Sequence, residues 1–115
     1  MRCLIVDDNE EFLASSSRLL ETQGIDVVGR AASGDEAVRL VAEHHPDVAL
    51  VDVQLGTEDG LEVARRLSAG PGAVRVVLIS THSRDDLEEL IADSPAVGFL
   101  PKKSLSAAAV SELVA

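Results

Sequence analysis

Four short stretches carry the residues able to do chemistry: Asp7-Asp8, Asp52, Ser80-Thr81 and Lys102-Lys103. Asp52 follows the apolar run Val48-Ala49-Leu50-Val51 and opens the polar segment DVQLGTEDG, which closes at Gly60. An ionised carboxylate at the end of a buried strand must either reach water or meet a cation, because burial without a partner is expensive. Three carboxylates gathered at one place would raise one another's pKa, and a hard divalent cation relieves that repulsion. Oxygen ligands without His or Cys favour Mg²⁺ over zinc. A lysine and a hydroxyl beside them supply the charge neutralisation and hydrogen bonding that a phosphoryl group needs. Aspartate is itself a competent nucleophile, forming an aspartyl-phosphate. The chemistry implied is metal-assisted capture of a phosphoryl group on a carboxylate, provided that the fold brings these stretches together.

The elements that must do so can be read in order. Cys3 to Val6 is a continuous apolar run, as in a strand covered on both faces. Asp7 to Glu11 suits a helix N-terminus, and the helix that follows is expected to bury Phe12, Ser16, Leu19 and Leu20, ending at Gly24. Ile25 to Ala32 reads as a second strand nearer an edge. Ser33 and Glu36 have capping-box spacing, and the helix they open should bury Ala37, Val38 and Val41 before His44-His45-Pro46. Val48 to Val51 is the third strand. A helix over roughly 59–68 should turn Leu61, Ala64 and Leu67 inward, before a break at Gly70-Pro71-Gly72. Val74 to Ser80 is the fourth strand. A helix from Ser83-Arg84-Asp85-Asp86 should bury Leu87, Leu90 and Ile91 at i, i+3, i+4. Val97 to Leu100 is the fifth strand, and a last helix uses Val110, Leu113 and Val114.

Strands alternating with helices imply an α/β fold: a five-stranded parallel sheet with five helices on both faces, doubly wound. Sites in such sheets lie outside the carboxyl ends of the strands. The residues after strands one, three, four and five are Asp7-Asp8, Asp52, Ser80-Thr81 and Lys102-Lys103, so one edge collects the whole set.

Composition is consistent with one acidic domain over residues 1–115. Twenty acids against ten bases leave a net charge of −10, which disfavours direct nucleic-acid binding. One cysteine, Cys3, excludes an internal disulfide and points to a reducing, cytoplasmic location. No apolar run has the length of a signal peptide or membrane span. No GxxxxGK[ST] or GxGxxG motif follows any strand, which argues against nucleotide binding.

With these residues in register, the chain resembles the receiver domain of two-component response regulators over essentially its whole length, which implies the flavodoxin-like strand order 2-1-3-4-5. The resemblance implies that Asp52 is the phosphoacceptor and that Asp7 and Asp8 are the paired metal-binding acids. It further implies that Asp8, Asp52 and the Gln54 carbonyl hold Mg²⁺, with Asp7 acting largely through water. Ser80, with Thr81 beside it, matches the hydroxyl position, Lys102 the lysine, Phe99 the switch aromatic, and Gly60 the glycine eight residues after the acceptor. The implied partners are a sensor histidine kinase or phosphotransfer protein, together with a C-terminal output domain or a second copy of the chain. Gly56 stands where the family usually has proline, which suggests a freer loop, and Lys103 stands where a second proline is common, so no cis bond is expected there. Two other readings differ in class. An unphosphorylated receiver-like interaction module would lack metal binding. An Asp-nucleophile phosphatase of the haloacid-dehalogenase pattern would need an acid at position 54, where Gln54 stands. His82 lies near the site, and His44 and His45 complement a helix end.

Overall fold

The computed structural model describes residues 1–70, 74–82 and 84–115. Five parallel strands form the sheet: β1 (Arg2–Val6), β2 (Asp26–Ala31), β3 (Val48–Asp52), β4 (Arg75–Ser80) and β5 (Gly98–Pro101), side by side in the order β2-β1-β3-β4-β5. The expected architecture is therefore present. Helices α1 (Glu10–Thr22), α2 (Gly34–His44), α3 (Gly60–Ala69), α4 (Arg84–Ala92) and α5 (Ala107–Val114) connect or follow them.

The central strands are apolar on both faces because helices cover both. Leu4, Val6, Ala49, Val51, Val76 and Leu78 face a core layer completed by residues of α2 and α3. Their alternates Cys3, Ile5, Val48, Leu50, Val77 and Ile79 face a second layer with Leu13 and Leu20 of α1 and Val110 of α5. Period-two alternation thus feeds two cores from one set of strands. Full burial of each Leu, Ile or Val side chain stabilises by about 1.5–3 kcal/mol.

The helix ends follow their residues. Asn9 caps α1 by accepting from the Phe12 N–H at 3.2 Å. Gly24, at φ +93°, ends it with the paired bonds Gly24 N–H to Glu21 O and Ile25 N–H to Leu20 O. Ser33 caps α2 as expected, but Glu36 reaches the Ala32 N–H at 2.8 Å instead of that of Ser33. The expected break at Pro71-Gly72 and the start at Ser83 lie outside the described residues.

Several inward faces differ from expectation. In α1 the buried residues are Leu13, Ser16, Ser17 and Leu20, whereas Leu19 is exposed. Ser16 and Ser17 can be buried because their hydroxyls donate to the Phe12 and Leu13 carbonyls at 2.5 and 2.6 Å. Val38 of α2 and Leu90 of α4 face water, and Val97 is exposed just before β5. Between β3 and α3 the chain forms a short antiparallel ribbon, Gln54–Leu55 with Glu58–Asp59. Gly56 and Thr57 make its two-residue turn, and Gly56 has φ +58°, the positive φ that tight hairpins need at their first central position. The segment expected to be a freer loop is therefore a paired hairpin.

Candidate functional site

Four of the five strand ends deliver one part each. Asp7 follows β1, its N–H bonded to Ala31 O at 2.9 Å. It is fully buried, and its Oδ1 accepts from the Asn9 N–H at 2.9 Å. Asp8 beside it is exposed. Asp52 is the last residue of β3 and 8% exposed; its Oδ1 accepts from the Gln54 N–H at 3.2 Å. Ser80 ends β4, buried, its Oγ accepting from the His82 N–H at 3.0 Å. Lys102 opens a single 3₁₀ turn after β5. Its Nζ lies 2.5 Å from Asp7 Oδ2 and 3.1 Å from Asp52 Oδ2. These groups line an open depression of about 310 Å³, together with Asn9, Gln54, Gly56, Thr81 and His82.

Carboxylate oxygens of Asp7, Asp8 and Asp52 lie within 4.8 Å of one another. Three carboxylates and one ammonium leave two negative charges, the count a divalent cation neutralises. The donors are all oxygen, as Mg²⁺ prefers. Asp7 Oδ2 is buried, and its close neighbour is the Lys102 ammonium at 2.5 Å. An all-oxygen acidic cluster with two negative charges left over after the lysine fits a hard cation.

The titration behaviour follows the same geometry. Burial lifts the Asp52 carboxyl above its ordinary value, and the Asp7 charge lifts it further; the Gln54 N–H and Lys102 offset this only in part. Burial alone would lower the Lys102 ammonium, but the Asp7 and Asp52 carboxylates outweigh it and the net shift is upward. Lys102 is thus a fixed positive charge at neutral pH. The buried Cys3 thiol is pushed up to about 12 by desolvation, which makes it an inert core residue.

Asp7, Asp8, Asp52, Gln54, Ser80, Thr81 and Lys102 are brought together as expected, and Lys103 is exposed. Phe99 is not at the depression. It is 4% exposed within the core layer against which Leu87 and Ile91 of α4 pack. No cis peptide bond occurs among the described residues, in line with Lys103 replacing proline. Two contributors were not anticipated. The Lys102 Nζ sits 4.4 Å above the centroid of the Phe12 ring, a cation–π contact. The available signal was that α1 starts directly after Asp8, so its first turn must overlook the site. Gly56 also crowds Asp8: a Cβ on it would stand 3.3 Å from Asp8 Oδ2. Gly60 allows the next helix to start against the acceptor, since a Cβ there would fall 1.8 Å from the Asp52 carbonyl oxygen.

A doubly wound sheet with acids, a hydroxyl and a lysine at its carboxyl edge defines a class of phosphoryl-handling α/β proteins. Comparison with known proteins narrows the class: the response regulator receiver domain family matches residues 3–114, and the chain belongs to that family. The chain is 32% identical over 111 residues to response regulator UvrY of Escherichia coli, covering 96% of this chain and 51% of that protein. It is 32% identical over 101 residues to transcriptional regulatory protein PdtaR of Mycobacterium tuberculosis, covering 88% of this chain and 49% of that one. The chain thus spans about half the length of these curated relatives. Among solved structures, the receiver domain of the NarL response regulator from Mycobacterium tuberculosis superposes with a TM-score of 0.86 at 33% identity, over 98% of this chain and 94% of that one. The chain is accordingly a receiver domain of two-component signalling.

Proposed function

We propose that Asp52 is the phosphoacceptor of this receiver, charged by the phosphohistidine of a sensor kinase or phosphotransfer protein. One observation carries the reading: a strand-end carboxylate with two further acids within metal-sharing distance and one lysine ammonium spanning Asp7 and Asp52. An Asp52 carboxylate oxygen attacks phosphorus, the bond to the donor imidazole nitrogen breaks, and the neutral histidine leaves with a proton. Mg²⁺, when bound by Asp8, Asp52 and the Gln54 carbonyl with Asp7 beyond, supplies charge neutralisation to the transferring oxygens. Lys102 and the Ser80 hydroxyl hold the phosphoryl oxygens, Lys102 by charge and Ser80 by donating a hydrogen bond, with Thr81 at the rim. Attack of water on the same phosphorus returns Asp52 and inorganic phosphate, so both steps occur on the receiver itself without outside turnover.

Movement of Ser80 and Lys102 toward the phosphoryl group unloads contacts that now hold the ends of β4 and β5. Phe99, buried on β5 against α4, is the residue through which that change reaches the α4–β5–α5 surface. The phosphoryl group thereby selects one of two states, read by an output segment or a second copy, in the cytoplasm. Among the described residues no helix is long and apolar enough to cross a membrane. Incubation with Mg²⁺ and a small phosphodonor is expected to label wild type and leave Asp52→Asn unlabelled in intact-mass measurements. Equal labelling of both would refute the assignment.

A further inference from the structure

The ribbon that follows Asp52 is held by a contact that the chemistry above does not use. Glu58, half-buried on the ribbon's second strand, accepts the Gly34 N–H at the first turn of α2 with both oxygens, at 3.1 and 3.2 Å. Gly34 is buried, and a Cβ there would stand 2.8 Å from Glu58 Oε2 and 2.8 Å from Val63 Cγ2. The carboxylate therefore reaches that N–H because position 34 has no side chain. A helix N-terminus also favours a negative group electrostatically. On the ribbon's other strand, Gln54 pairs with Asp59 and Leu55 with Glu58, and the turn lies close enough to Asp8 that a Cβ on Gly56 would stand 3.3 Å from Asp8 Oδ2. Glu58 is thus paired across the hairpin with Leu55, the residue between the two that line the depression, Gln54 and Gly56.

We infer that Glu58 is a positioning residue for the divalent cation: by anchoring the ribbon to α2, it sets where the Gln54 carbonyl and the Gly56 turn beside Asp8 sit. This rests on the metal reading of the site given above. The cation gains no ligand from Glu58, which acts only through the ribbon. The alternative is that Glu58 does no more than satisfy the first turn of α2. The two differ in what happens at the ribbon.

The test uses wild type, Glu58→Ala, Glu58→Gln and Arg66→Ala. The last removes the 2.9 Å ion pair of Arg66 with Asp35 next to the same helix end, and among the described residues it breaks no hydrogen bond or ion pair to the ribbon. Mg²⁺ affinity is measured by calorimetry, and amide hydrogen exchange of residues 54–60 is measured without metal. Glu58→Ala is expected to lose about tenfold in Mg²⁺ affinity, the scale of losing a group that orients metal ligands, and to exchange faster at the ribbon amides. Glu58→Gln, whose carbonyl oxygen still accepts the Gly34 N–H, is expected to recover most of both, and Arg66→Ala to match wild type in both. Wild-type affinity in Glu58→Ala, or unchanged ribbon exchange in it, would overturn the proposal while leaving the phosphoacceptor reading intact. Absence of Mg²⁺ binding in wild type itself would overturn the metal reading and this proposal together.

Discussion

Asp52 is held in a state that folding alone does not favour. Its carboxyl pKa in the fold is raised above the ordinary 3.8, first by burial. The folded form therefore binds a proton more readily than the unfolded chain, and stability falls as pH rises through that interval. The penalty is absent below about pH 3.8 and fully developed once pH exceeds the raised folded value. Asp52→Asn removes the charge, so its urea midpoint is expected to exceed that of wild type at pH 7, with the difference shrinking to nothing near pH 3. A variant less stable than wild type at pH 7 would show that Lys102 more than compensates for the buried charge. The residues of the site were legible because each has a chemical type and a strand-end position. Phe12 was not, since a phenyl group gives no sign in sequence of whether it faces the core or a lysine. Of the two adjacent lysines, chain register puts Lys102 at the site, and in the structure it is the Lys102 Nζ that contacts Asp7 and Asp52.

At the level of elements, strands were easier to read than helix faces. A run of Val, Ile and Leu covered on both sides has one interpretation, whereas a helix stripe can rotate by one residue when serines enter it. Ser17 is buried because its hydroxyl bonds to its own helix, and that local satisfaction is invisible to a count of apolar residues. The ribbon escaped notice for another reason: strands of two residues carry no period. Its glycines make the sharpest element-scale prediction. Gly60→Ala would place a methyl group 1.8 Å from the Asp52 carbonyl oxygen, so α3 or the acceptor strand must move. A loss of about 3 kcal/mol or more in denaturant unfolding is expected, at the upper end of single-site effects. Gly56→Ala should cost about 1–2 kcal/mol for its left-handed backbone. Gly56→Pro should break the turn outright, because proline is confined to φ near −65°; it is expected to weaken Mg²⁺ binding instead of stiffening the loop.

For the whole molecule, the net charge of −10 sets the background. Any salt screens that self-repulsion, but only a cation bound at the three acids adds binding energy to the folded state. Mg²⁺ at about a hundred times its dissociation constant stabilises by about 2.7 kcal/mol, or roughly 10 °C in Tm for a domain of this size. Thermal unfolding in MgCl₂ and in NaCl of equal ionic strength should differ by that amount in wild type and by much less in Asp8→Asn. The strand order followed from topology rules and the family resemblance, since spacing alone does not say which strands are neighbours. Exposed Leu19, Val38, Leu90 and Val97 mark where periodicity overstated burial in a chain small enough that each helix covers little.

The two outer strands, β2 and β5, leave the sheet open at both sides, and open edges invite strand addition and fibrous aggregation. Here β2 carries the exposed charges of Asp26 and Arg30. β5 is four residues long and ends on Pro101, which has no N–H to offer. Growth of the sheet from one molecule to the next is discouraged at either side. Self-association of this chain is therefore expected to join helices and not sheet edges.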